Sequence, residues 1–218
     1  MIKVLIVDDQ PVIRQGFCVF LQGVPDVEVI GQADSGRAAV ELALKLRPDV
    51  VLMDIRMPNG DGLTATRRLM AEDSPVKPKI IVITTFDQDE YLFQALDYGA
   101  AGFLLKDSDP DDLGRAVVQV ANGGSVIAPT LVNRLVGEFA RRRTATPAAP
   151  PPVDHDLTGR ELDIVRCLTR GMSNSEIARE LHLETSTIKS HVSHISTKIN
   201  VKSRVQIVIW AHEAHISG

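Results

Sequence analysis

Over residues 1–125 the sequence alternates short β-branched runs with helical patterns, and no other feature restricts the possible folds so strongly. The β-branched runs lie at 4–7, 27–30, 50–53, 80–84 and 102–105, with helical spacing of apolar residues near 11–22, 36–46, 62–71, 88–98 and 110–122. Such alternation predicts a parallel sheet with helices on both faces. Val50-Val51-Leu52-Met53 is apolar on both parities, as a strand covered on both faces should be. Aromatic residues make up only 4% of the chain, so the core must rest on Val, Ile, Leu and Ala.

The pattern then changes. Residues 129–143 look helical, with Leu131, Leu135 and Phe139 spaced by four. Pro147, Pro150, Pro151 and Pro152 follow, four prolines in six residues, which no helix interior or central strand accommodates. This stretch is expected to be a solvated linker. From Asp156 onward four short helices are predicted at 159–169, 174–181, 187–199 and 202–214, enough for a small bundle.

Charge divides along the same line. Residues 1–128 carry 12 Lys+Arg against 19 Asp+Glu, while residues 129–218 carry 12 against 9, and all 6 His lie after residue 150. An acidic first half and a mildly basic second half suggest different partners for each. The two cysteines, Cys18 and Cys167, have neither disulfide-framework nor zinc-ligand spacing. The run MIKVLIVDDQ reaches two aspartates sooner than the apolar core of a signal peptide would end, and no apolar run approaches the ~18 residues of a membrane span. The chain is therefore expected in the cytoplasm, with no membrane partner.

In an open parallel sheet, ligands bind at the carboxyl ends of the strands where the strand order reverses. This sequence places Asp8 and Asp9 after the first strand, Asp54 after the third, Thr84 and Thr85 after the fourth and Lys106 after the fifth. With strand order 2-1-3-4-5 the first and third strands are neighbours, and three carboxylates converge. Their repulsion calls for protonation or a cation. Mg²⁺ suits an oxygen-only site that also accepts a phosphate oxygen. Asp54 is then a candidate nucleophile forming an aspartyl phosphate. Lys106 would hold a phosphoryl oxygen, and the Thr84 hydroxyl would donate to the same group. An Asp after a strand is often no more than a helix cap, so it is the coincidence of all these positions at one sheet edge that carries the reading.

The segments VLIVDDQ, VVLMDIRMPNGDGL, IIVITTF and GAAGFLLKD together resemble the receiver domain of two-component response regulators. The resemblance implies a doubly wound α/β fold with a five-stranded parallel sheet of the flavodoxin type. It implies that Asp54 accepts a phosphoryl group from a phosphohistidine of a sensor histidine kinase. It further implies Mg²⁺ bound by Asp8, Asp9, Asp54 and the backbone carbonyl of Arg56, with Thr84, Lys106 and the aromatic switch position Phe103 sensing the phosphoryl group. Two positions depart from the usual pattern. Phe103 lacks the hydroxyl of the tyrosine often found there, and Gly60 replaces a bulkier residue after Met57-Pro58-Asn59.

In the second half, Ile188, Val192, Ile195 and Ile199 recur at 4, 3 and 4, one buried helix face. Lys189, Ser190, Ser193 and Thr197 occupy the other face, with His191, His194 and Lys198 alongside. No acid occurs between Thr185 and His212, where Lys189, Lys198, Lys202 and Arg204 are found. Small donors with cations suit close approach to a phosphate backbone, and a preceding helix at 174–181 makes a helix-turn-helix. LTGRELDIVRCLTRGMSNSEIARELHLETSTIKSHVSHISTKINVKSR resembles the LuxR-type four-helix DNA-binding domain. By position, that resemblance turns Lys189, Ser190 and Ser193 toward base edges and puts Thr187, His191, Lys198, Lys202 and Arg204 near the DNA backbone. Ser193 stands where relatives often carry a second cation.

Together the two halves resemble a response regulator of the NarL/FixJ type. The expected division is a phosphoacceptor receiver at 1–125, a linker helix and proline-rich linker at 126–155, and a LuxR-type helix-turn-helix domain at 156–218. The implied function is a phosphorylation-controlled transcription regulator, not an enzyme acting on other substrates, which catalyses only its own phosphorylation and dephosphorylation. The implied partners are a sensor histidine kinase, double-stranded DNA and a second copy of the chain when phosphorylated or DNA-bound. Competing classes lack their motifs. An aspartate-nucleophile phosphatase needs a second carboxylate where Asp54-Ile55-Arg56 has none, and neither GxxxxGK[ST] nor GxGxxG occurs.

Overall fold

Among the described residues each β-branched run forms a strand and each helical pattern a helix in the computed structural model, which describes residues 1–58, 62–71, 73–84, 89–128, 156–201, 203–214 and 216. The expected linker helix at 129–143 and the proline-rich stretch lie outside the described residues. The chain divides into two compact units, Met1–Val126 and Ile127–Gly218.

In the first unit β1 (Ile2–Val7), β2 (Val27–Ala33), β3 (Val50–Asp54), β4 (Lys79–Thr84) and β5 (Gly102–Leu105) alternate with α1 (Pro11–Gln22), α2 (Gly36–Leu46), α3 (Gly62–Met70), α4 (Asp89–Asp97) and α5 (Pro110–Ala121). A two-residue β6 (Val126–Ile127) follows, and the order is β2-β1-β3-β4-β5-β6. The expected order 2-1-3-4-5 is thus present, but the sheet has six strands where five were expected. Two residues are too few to leave a period in the sequence, so β6 could not be read there.

The pairs β1–β2, β1–β3, β3–β4 and β4–β5 are all parallel. Every residue of β3 is buried, which explains why its sequence has no polar parity. The core is aliphatic, with Val4, Ile6, Leu52, Ile81 and Val117 all at most 1% exposed. Register brings the strand ends level: Val7 pairs with Met53, Asp54 with Ile83 and Thr84 with Leu105. The residues that follow each strand therefore emerge on one rim. Ser35 and Asp109 cap α2 and α5 through their side chains, and Pro11 and Pro110 open α1 and α5, where a missing N–H costs nothing.

The second unit contains α6 (Gly159–Thr169), α7 (Asn174–Glu180), α8 (Thr185–Lys198) and α9 (Arg204–Glu213). Capping boxes start α6 at Thr158/Glu161 and α7 at Ser173/Glu176, each satisfying two backbone N–H groups reciprocally. His182, with φ of 53°, lets the chain turn sharply between α7 and α8. Ile188 and Ile195 of α8 are fully buried against Ile164, Ile177 and Ile207, with Val192 and Ile199 packed at the edge. The polar side of α8 is left outward.

Candidate functional site

Asp8 and Asp9 leave β1 and Asp54 ends β3, and the three carboxylates each offer an oxygen within 4.8 Å of the others. Asp8 and Asp54 are buried, at 0% and 3% exposure. Loop backbone orients both: Gln10 N–H donates to Asp8 Oδ1 at 2.9 Å, and Arg56 N–H donates to Asp54 Oδ1 at 3.0 Å. Lys106 N–H donates to the Thr84 carbonyl at 2.9 Å, extending the β4–β5 ladder by one residue so that the lysine side chain starts at the rim. Lys106 Nζ then lies 2.7 Å from Asp8 Oδ2 and 2.8 Å from Asp54 Oδ2.

Burial pushes the Asp54 carboxyl above the usual carboxylate range, the Asp8 charge adds to that rise, and Lys106 and the Arg56 N–H offset only part of it. Burial alone would depress the Lys106 ammonium, yet its hydrogen bonds to Asp54 and Asp8 carry it above its ordinary value. One cation among three carboxylates leaves the cluster short of positive charge. The deficit is concrete at Asp8 Oδ2, which is buried and faces only the Lys106 ammonium, the same ammonium that Asp54 Oδ2 faces. An all-oxygen donor set of three carboxylates with a single ammonium among them fits a hard divalent cation.

The cluster opens into a cavity of about 650 Å³ lined by Asp9, Asp54, Arg56, Met57, Thr84, Tyr91 and Lys106. Of the expected site residues of the first unit, all but Asp8 and Phe103 reach this cavity. Asp8 sits behind it, tied to Lys106. Phe103 is fully buried in β5, paired in register with Val82. Thr85, Asn59 and Gly60 lie outside the described residues.

Two further residues near the cavity had no role assigned from the sequence, although Gly62 lies within the quoted segment VVLMDIRMPNGDGL. A β-carbon on Gly62 would stand 1.8 Å from the Asp54 carbonyl oxygen, so only glycine lets α3 begin against β3. Tyr91 reaches the cavity wall from α4. A lone Gly and a helical Tyr carry no spacing signal; the approach of α3 and α4 to the rim reveals them.

In the second unit Lys189, Ser190 and Ser193 are exposed on α8, and Thr187 and His191 are half-buried beside them. Ser190 Oγ donates to the Ser186 carbonyl at 3.2 Å, keeping its hydroxyl close to the helix. Lys202 lies outside the described residues. Arg204 was expected at the DNA backbone, but it is only 8% exposed and turns inward. Its guanidinium donates to Asn174 Oδ1 at 3.1 Å and to the Met172 carbonyl, and burial lowers its pKa to about 10. The sequence showed a cation near a cationic helix; the fold uses it to tie α9 to the start of α7. Lys198 is also engaged, 2.7 Å from Glu161 Oε2 and 2.9 Å from the Asp156 carbonyl. Although Glu161 is buried, Lys198 and the Thr158 donors hold its carboxyl down at about 2.

Comparison with known proteins assigns both units. Residues 4–118 match the response regulator receiver domain, and residues 155–211 match the LuxR family of bacterial regulatory proteins. The transcriptional regulatory protein LiaR of Bacillus subtilis (strain 168) is 37% identical over 217 residues, covering 99% of both chains. The nitrate/nitrite response regulator NarL of Escherichia coli (strain K12) is 35% identical over 213 residues, covering 98% of this chain and 96% of its own. Among solved structures, the response regulator ChrA of a heme-sensing two-component system is 32% identical, covering 99% of this chain and 98% of its own with a TM-score of 0.53. A structure of two RcsB dimers bound to two parallel DNAs is 25% identical, covering 97% of this chain and 98% of its own, with a TM-score of 0.56.

Proposed function

The chain belongs to the response regulators that join a receiver domain to a LuxR-type DNA-binding domain, the transcriptional regulators of two-component systems, and from this we propose that Asp54 is its phosphoacceptor and α8 its DNA-reading helix. One observation carries the first half: a buried carboxylate, Asp54, held by Lys106 at 2.8 Å within a cluster of three acids at the mouth of a cavity. No other described carboxylate combines these features.

An Asp54 oxygen attacks the phosphorus of a phosphohistidine on a sensor histidine kinase. The P–N bond breaks and the imidazole leaves. Lys106 moves from carboxylate to phosphoryl oxygen, keeping a point charge where negative charge collects. The Thr84 hydroxyl donates to another phosphoryl oxygen. Asp8, Asp9, Asp54 and the Arg56 carbonyl would hold Mg²⁺, which supplies neutralisation of the transferring group's charge. As Thr84 is drawn in, the Phe103 ring moves into the space vacated, by packing alone since it has no hydroxyl to bond. The receiver catalyses only its own phosphorylation and dephosphorylation.

At the other end, Lys189, Ser190 and Ser193 enter the major groove, while Thr187, His191 and Lys202 meet the backbone. Phosphorylation pairs two copies, and the second half-site contact becomes intramolecular, raising the avidity of a weak monomer. The dimers on DNA described for RcsB support this arrangement. No helix among the described residues is long and apolar enough to cross a membrane, and the protein is proposed to act in the cytoplasm.

The test is uptake of a phosphoryl group from a small phosphodonor in the presence of Mg²⁺, read by intact mass. Wild-type protein gains one phosphoryl group and Asp54→Asn gains none. Equal uptake by Asp54→Asn would overturn the assignment.

A further inference from the structure

The sequence placed both lysines of α8 at DNA, Lys189 toward base edges and Lys198 near the backbone, but in the fold their ammonium groups have different partners. Nine residues separate them, about two and a half turns of helix, so they project from opposite sides. Lys189 is exposed and has no ion pair among the described residues. The Lys198 ammonium is committed: it donates to Glu161 Oε2 at 2.7 Å and to the Asp156 carbonyl at 2.9 Å. Glu161 Oε2 also accepts the Thr158 N–H at 2.7 Å and the Thr158 hydroxyl at 2.9 Å, the capping box that starts α6. One carboxylate oxygen thus gathers the chain entering α6, the first turn of α6 and the last turn of α8.

We propose that Lys198 is a positioning residue, fastening the C-terminal turn of α8 to the entrance of α6 through Glu161 and Asp156, and not a cation that neutralises a DNA phosphate. The proposal rests on the reading of α8 as the DNA-facing helix and adds what sets that helix's angle. Glu161 is 4% exposed, and among the described residues Lys198 is its ion-pair partner. Drawing the ammonium away to a phosphate would leave that carboxylate buried without a counter-charge, which is the costly way to break such a pair. The Asp156 carbonyl adds a second tether, on the segment through which the chain reaches the four-helix unit.

The roles separate by salt dependence. A lost phosphate contact lowers the slope of log affinity against log salt by about 1, whereas a misplaced helix weakens binding without changing the number of counterions released by any remaining contact. The experiment uses the full-length chain and a duplex that it selects from genomic fragments, with affinity measured across a salt series. Trp210, the only tryptophan, reports the folded fraction of each variant. Lys198→Met and Glu161→Gln, the latter keeping an acceptor for Thr158, are each expected to weaken binding roughly tenfold at every salt concentration, within the range for residues coupled in one network. The double variant should be no weaker than either single one, all slopes should match wild type, and Lys198→Arg should restore most of the affinity. A slope reduced by about 1 in Lys198→Met, with Glu161→Gln binding like wild type, would overturn the proposal in favour of a phosphate contact. Wild-type affinity in both variants, once the folded fraction is accounted for, would overturn it as well. A wild-type chain that retains no duplex would instead remove the DNA-binding reading beneath it.

Discussion

Lys106 Nζ and Asp54 Oδ2 lie 2.8 Å apart although 52 positions separate them in the chain. The pair lines the cavity, and its lysine is shared with Asp8 at 2.7 Å. A single ammonium therefore faces two buried acids.

Lys106→Met removes that cation. Breaking a buried ion pair from one side costs on the order of 3 kcal/mol. The receiver is expected to lose about that much stability in urea unfolding without divalent ions and to regain part of it with Mg²⁺. Unchanged stability in metal-free buffer would show that the lysine is not the counter-charge.

Gly62→Ala tests the close approach of α3. The new β-carbon would fall 1.8 Å from the Asp54 carbonyl oxygen, so backbone must move. A cost of about 3 kcal/mol is expected, at the upper end for overpacking, together with slower phosphoryl uptake as Asp54 shifts. Circular dichroism of urea unfolding measures the first and intact mass the second; an alanine variant as stable as wild type would contradict the geometry.

The second unit should be acid-sensitive through Glu161. Its carboxyl is held at about 2 in the folded chain against 4.5 ordinarily. A depressed acid stabilises the fold fully above its unfolded value, so this contribution is complete above about pH 4.5 and disappears as pH falls toward 2. Trp210 fluorescence in urea should show stability falling across that window in wild type and a shallower fall in Glu161→Gln. Parallel curves would remove Glu161 as the source.

Arg204→Met leaves Asn174 Oδ1 and the Met172 carbonyl without their buried donor. A loss of about 1–3 kcal/mol is expected for the second unit, read by Trp210, with no change in the salt slope of DNA binding. A lower slope would return Arg204 to the DNA backbone.

Local pattern carried much of this protein. The β-branched runs specify five strands and their alternating helices because side-chain period is a local property, and Gly102–Leu105 and Gly159–Thr169 match the expected segments residue for residue. The placement of Asp8, Asp9, Asp54, Thr84 and Lys106 at strand ends was equally legible, although Asp54 and Thr84 are the last residues of β3 and β4 and do not follow them, since a parallel sheet delivers every strand's carboxyl end to one rim. Other features depend on what lies across space. β6 is too short to have a period, and Gly62 is required only because the Asp54 carbonyl stands where its β-carbon would be. Charge in a sequence does not show its partner, so Lys189, Lys198 and Arg204 were all expected at DNA, the first toward base edges and the other two near the backbone. Packing left Lys189 and Lys198 both exposed but paired Lys198 with Glu161, and it buried Arg204 against Asn174, because a cation's partner is set by which helix ends the fold brings together and not by its neighbours along the chain.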